Sequence, residues 1–115
     1  MPLIDVSYDR TLSEADLQRL ARLLPEIVAE AIDCPEEPSV GPPGPGDIEI
    51  RFRRKGSLDV GELRCVVEVR TKLFQSRVDN KQHRSDMISD RLAKKMKFDR
   101  IGVWLILVEG AWSQT

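Results

Sequence analysis

Histidine occurs once in this sequence, at His83, and cysteine twice, at Cys34 and Cys65. Two distant cysteines fit no metal-ligand spacing, so no metal site is expected. No Gly-rich phosphate loop and no nucleophilic triad arrangement is present either, and no cofactor is expected. Aromatic residues make up only 5%. The run Leu63 to Thr71 holds none, which leaves a nucleic-acid base nothing to stack on. No nucleic-acid partner is therefore expected. The longest apolar run, Val103 to Val108, is far shorter than the roughly 20 residues a membrane helix needs. The N-terminus lacks a basic stretch leading into an apolar run, the pattern of a secretory signal. These absences predict a cytoplasmic protein with no membrane partner and with reduced, structural thiols. A single disulfide stays open.

What is present fits one folded domain over residues 1–115. Hydrophobic residues are 41% and charged ones 32%, too apolar for a disordered chain. Charge is unevenly spread. Residues 1–50 carry 3 basic and 11 acidic side chains, and residues 51–115 carry 15 basic and 8 acidic. Such asymmetry points to self-association through opposite patches or to a cationic site for an anionic ligand. A solvated surface with no specific role is the plain alternative.

The first residues read Met1-Pro2-Leu3-Ile4-Asp5-Val6-Ser7-Tyr8. Weak alternation puts Pro2, Ile4, Val6 and Tyr8 on one face of a strand. If Met1 is removed, Pro2 becomes a terminal secondary amine. An α-amino group has a reference pKa of roughly 7.7–8.0. An apolar pocket or neighbouring arginines would lower it. A rigidly held neutral amine can take a proton from a substrate.

Thr11-Leu12-Ser13-Glu14 has the spacing of a capping box and opens a helix. Leu17, Leu20, Ala21, Leu24, Val28 and Ala31 follow the helical period. Pro25 falls inside it and predicts a kink. Residues 33–47 hold five of the seven prolines and read as a stiff surface loop. Asp47 to Arg54 alternates cleanly, with Ile48, Ile50 and Phe52 on one face and Glu49, Arg51 and Arg53 on the other. Leu63 to Thr71 is a further strand. Residues 72–78 lead into a second helix at about 79–97. Met87, Ile88, Leu92 and Met96 carry that helix, and its outer face is basic through Lys81, Arg84, Lys94, Lys95 and Lys97. His83 lies on its polar side. Arg100 to Glu109 is a strand with both faces apolar.

The order is β-α-β-β-α-β, an α+β fold. Right-handed crossovers place both helices on one face of a four-stranded mixed sheet. The other face then needs cover. A final strand apolar on both sides predicts that another subunit supplies it.

The Met1-Pro2 start, this element string near this length, and an arginine on the second strand resemble the tautomerase superfamily. The 5-carboxymethyl-2-hydroxymuconate isomerases among them are most similar. The run Glu14-Ala15-Asp16-Leu17 and a proline midway through the first helix fit the same pattern. The resemblance implies an isomerase that moves a proton in an unsaturated 2-hydroxy/2-oxo carboxylate. It implies Pro2 as general base, with carboxylate held by Arg51, by Arg77 and by Arg10. It also implies sites at subunit contacts of a homo-oligomer, a trimer. A guanidinium suits this role because its planar fork binds a carboxylate through two bonds. Arg51 and Arg53 lie two apart on one strand, about 6.5–7 Å, a spacing that could grip one dicarboxylate.

Three alternatives stay open. One is a catalytically silent or ligand-binding oligomer of the same fold. Another is a dehalogenase or hydratase, for which Glu49 and Glu109 are the candidate water-activating carboxylates by element only. The third is a ferredoxin-like RNA-binding module. Strand order separates the last: the tautomerase arrangement pairs the first two strands directly, and the ferredoxin-like one inserts the third between them.

Overall fold

A computed structural model describes residues 1–115. Four strands and three helices follow in the order β1 (Leu3–Tyr8), α1 (Glu14–Ile32), β2 (Glu49–Arg54), β3 (Cys65–Lys72), α2 (Gln75–Asp79), α3 (Lys81–Met96) and β4 (Ile101–Val108). The sheet order is β2-β1-β3-β4. β1 pairs directly and in parallel with β2, β3 runs antiparallel to β1, and β4 runs parallel to β3. This is the tautomerase-like order, and it removes the ferredoxin-like alternative.

Alternation decides which face is buried. Ile4 and Val6 of β1 and Cys65, Val67, Val69 and Thr71 of β3 point inward. Leu20, Leu24, Ile27, Val28 and Ala31 of α1 and Ile88, Leu92 and Met96 of α3 meet them in one core. The opposite face carries Asp5, Arg51, Glu68 and Arg70, and on β4 the exposed Trp104 and Val108. No helix is long and apolar enough to cross a membrane.

Local details differ from the sequence expectation in three places. The capping box lies two residues later than expected. Ser13 is the N-cap, its hydroxyl accepts from the Asp16 N–H, and Asp16 accepts from the Ser13 N–H. Thr11 instead donates to Asp9. α1 runs through Pro25 without a break, in line with the sequence expectation. The second helical region is split: residues 75–79 form a short helix of their own, and Asn80, at φ −135°, separates it from α3. Arg84 is buried and does not lie on the basic outer face; its partners are described below. His83 is exposed as expected.

Both cysteines are free and buried. Burial pushes the Cys65 thiol up to about 11. The reactive thiolate is then scarce at pH 8. Cys65 is accordingly expected to resist a thiol reagent in the native protein and to react fully in denaturant, as a timed alkylation followed by peptide mass would show. Rapid native labelling of Cys65 would contradict its place in the core.

Candidate active site

Pro2 stands at the entrance to β1, and its carbonyl accepts the Glu49 N–H at 3.3 Å. Two cavities meet beside it. One, of about 290 Å³, lies on the helix side between Pro2, Ala29, Ile32 and the proline-rich loop. The other, of about 340 Å³, opens between Leu3, Thr71, Lys72 and Trp112. Met1 and Glu37 border both. Met1 therefore stands where the two cavities adjoin.

The helix-side wall is built by the end of α1 and by the buried Arg77, with a second buried arginine, Arg84, behind it. The last four carbonyls of a helix lack partners within it, and the last turn of α1 contains no basic residue. Arg77 and Arg84 supply what is missing. Arg77 is 1% exposed. It donates through Nε to the Ile32 carbonyl at 2.8 Å and through Nη1 to the Lys72 carbonyl at 2.9 Å. Its Nη2 lies 3.3 Å from Glu37, and its guanidinium sits over the Phe74 ring. Arg84 donates through Nη1 to the Ala31 and Asp33 carbonyls, at 2.9 and 2.7 Å. Its Nε donates to the Asn80 side chain. The cations thus lie at the negative end of the helix dipole.

The same region ties down the loop. The Ser39 N–H donates to Asp33 at 2.8 Å, and the Gly44 N–H donates to Asp47 at 2.8 Å. Ser76 donates to Glu36 through both hydroxyl and backbone. The Ser76 hydroxyl holds the Glu36 carboxyl below its ordinary value. That preference for the ionised form, and the tether with it, is lost as pH falls through the lowered value.

Charge differs between the two cavities. Asp33, Glu37 and Asp47 border the helix-side one, where Arg77 is the one cationic side chain and already has partners. Arg70 and Lys72 border the other. Arg70 bonds Asp5 at 2.9 Å and Glu68 at 3.4 Å. Lys72 makes no ion pair. It is the cation beside Met1 that remains free for an anion.

Of the residues named from the sequence, Pro2 and Arg77 come together. Arg51 does not join them within one chain. Its side chain is on the opposite sheet face, bonded to Asp5 at 3.1 Å. It pairs with position 5 of β1, three residues or about 10 Å along the strand from Pro2. Arg10 is exposed beyond the far end of β1, near Tyr8, Glu14 and Arg54. Glu37, Thr71 and Lys72 were not named from the sequence. The β1–β3 register brings Thr71 and Lys72 in, and the turn after Cys34 brings Glu37 in.

No known sequence family matches the chain, and no curated protein matches it. Solved structures do. A 5-carboxymethyl-2-hydroxymuconate isomerase from Deinococcus radiodurans R1 superposes with a TM-score of 0.66 over 98% of this chain and 88% of its own, at 16% identity. A macrophage migration inhibitory factor-like protein from Entamoeba histolytica gives 0.64 over 99% and 95%, at 12% identity. A fused 4-OT described as a symmetric trimer gives 0.60 over 91% and 85%, at 15% identity. Malonate semialdehyde decarboxylases and a member of the cis-3-chloroacrylic acid dehalogenase family are matched as well. The fold of this chain is the one these isomerase, decarboxylase and dehalogenase structures share.

Proposed function

We propose that the chain, freed of Met1, is a keto–enol tautomerase acting on a 2-hydroxy/2-oxo carboxylate, with the Pro2 nitrogen as its general base. One observation carries this reading: Met1 stands where two cavities adjoin, so its removal would set a secondary amine at their junction. The unpaired Lys72 gives the second cavity an anchor for the substrate carboxylate. Asp33 and Asp47, which border only the helix-side cavity, direct that carboxylate away from it by like-charge repulsion. The amine takes the enol O–H proton and leaves the electron pair on oxygen as an enolate, which closes the C=O bond as carbon is protonated. The former C=C pair then takes the proton from the Pro2 ammonium at carbon. Negative charge builds on oxygen between these steps, and a cation placed beforehand stabilises it. Arg77 shapes the wall in this scheme.

A homo-oligomer, a trimer in this reading, completes the site. β4 exposes Trp104, 66% accessible, beside Val108 on the open face, and an exposed apolar strip of this kind suits a subunit contact. Arg51 and Arg10 point away from the cavity of their own chain. They reach a Pro2 nitrogen only if another copy presents them.

A second reading has its own support in Glu37, which borders both cavities. A carboxylate there could activate water for addition to an unsaturated acid, a hydratase reaction. Glu37→Gln would abolish hydration and spare ketonisation.

The test is ketonisation of the phenylpyruvate enol, followed by ultraviolet absorbance, on a chain that begins at Pro2. Pro2→Ala retains an amine but loses the ring that fixes it. Its kcat should fall about 10²-fold, the cost of misplacing a reacting group. Equal rates for the two chains would sink the proton-transfer reading.

A further inference from the structure

The last inward-facing residue of β3 has a hydroxyl with no partner. Thr71 is 2% exposed, and its Oγ1 makes no hydrogen bond. A buried hydroxyl left in this condition is unfavourable, and nearly all such groups in folded proteins are satisfied. A structural reason is not visible, since valine would fill the same space.

Register shows what lies opposite. β1 and β3 are antiparallel with Leu3 facing Arg70. One step further sets Pro2 opposite Thr71, with Cα atoms about 4.5–5.5 Å apart. Both residues fall on the helix-facing side, in phase with Ile4 and Val6 on β1 and with Val67 and Val69 on β3. Thr71 also walls the cavity that Met1 and Lys72 border. With Met1 attached, the Pro2 nitrogen is a tertiary amide and carries no hydrogen. With Met1 removed, it gains one N–H and one lone pair.

We infer that Thr71 is a positioning residue whose hydroxyl accepts the N–H of the freed Pro2 amine. This inference rests on the reading of Pro2 as the base. The bond holds the nitrogen in one pyramidal configuration and fixes the ring's rotation about the Pro2 Cα–C bond. With its N–H committed to Thr71, the remaining lone pair is directed at the cavity that Lys72 borders. The hydroxyl that is unpaired in the Met1-bearing chain thus finds its partner in the processed one. Removal of one residue creates both the base and the bond that aims it.

The experiment is a four-chain cycle: Thr71 or Thr71→Val, each with Met1 retained or removed, checked by intact mass. The thermal midpoint and the kinetic constants for phenylpyruvate are measured on all four. In the Met1-bearing pair, Thr71→Val should raise the midpoint, because an unpaired polar group is replaced by methyl. In the pair beginning at Pro2 the gain should vanish or reverse. The difference between the two effects is expected to be about 3–6 °C, the size of one hydrogen bond in a domain this small. In the same processed pair, kcat should fall about 10-fold with KM within about 2-fold, and Thr71→Ser should restore most of kcat.

No coupling between Met1 removal and position 71, or a Thr71→Ser chain as slow as Thr71→Val, would overturn the inference. Coupling in a processed chain that turns nothing over would uphold the Thr71–Pro2 bond and defeat the tautomerase reading. Activity without coupling would do the reverse.

Discussion

Arg84→Met is expected to lower the free energy of unfolding by about 3–5 kcal/mol, measured by urea denaturation at neutral pH. The methionine retains an unbranched side chain that can pack among Ile88 and its neighbours, but it donates no hydrogen bond. The carbonyls of Ala31 and Asp33 and the Asn80 side chain all lose the donor that Arg84 gives them. A hydrogen bond from a charged donor contributes about 1.5–3 kcal/mol, and of the carbonyls left behind that of Ala31 is buried and that of Asp33 partly so. Such a loss is a large part of the 5–15 kcal/mol that holds a typical domain together. Arg91→Met is the control. Arg91 also bridges α3 to α1, through Glu30, but the two side chains are 38% and 66% accessible. An exposed pair of this kind contributes at most about 1 kcal/mol. Equal losses in the two variants would show that burial of Arg84 among the α1 carbonyls has no energetic consequence. The effect should extend to function, because Asp33, one of its partners, borders the cavity beside Pro2.

Arg84 also shows what a sequence reveals and what it hides. Arg84, Ile88, Leu92 and Met96 are spaced four apart, and all four are buried on one stripe of α3. The period places Arg84 inside; only its charge argued for the surface. A long aliphatic stem with a terminal fork is suited to this position, where packing is needed first and carbonyl donors second. The first helix was plain because its apolar period is unbroken, but the strand order was not, since the same element string also suits the ferredoxin-like arrangement. The cap was ambiguous because Thr11…Glu14 and Ser13…Asp16 overlap with the same spacing, and either chain conformation satisfies it. Of the proposed site, Pro2 could be named from the sequence because its proposed chemistry depends on chain position alone. Thr71 and Lys72 were not. Their place beside Pro2 depends on the antiparallel register of β1 and β3, which local sequence does not encode. Arg51 and Arg77 are the same residue type with opposite fates. One bonds Asp5 on the open face and the other caps α1, a distinction set by which strand face or loop turns inward.

Retention of Met1 should silence the protein. An amide nitrogen has its lone pair delocalised into the carbonyl and does not accept a proton near neutral pH. Loss of a positioned general base alone is expected to reduce the rate about 10²–10⁴-fold. The fold is untouched by this change, since residue 1 lies outside every strand and helix. Deuterium entry at the carbon beside the keto group of phenylpyruvate, followed by proton NMR in D₂O, reads the proton transfer itself. Measured on two preparations identical but for Met1, it should proceed at least about 10²-fold faster in the chain that begins at Pro2. Equal rates in the two preparations would contradict Pro2 as the base.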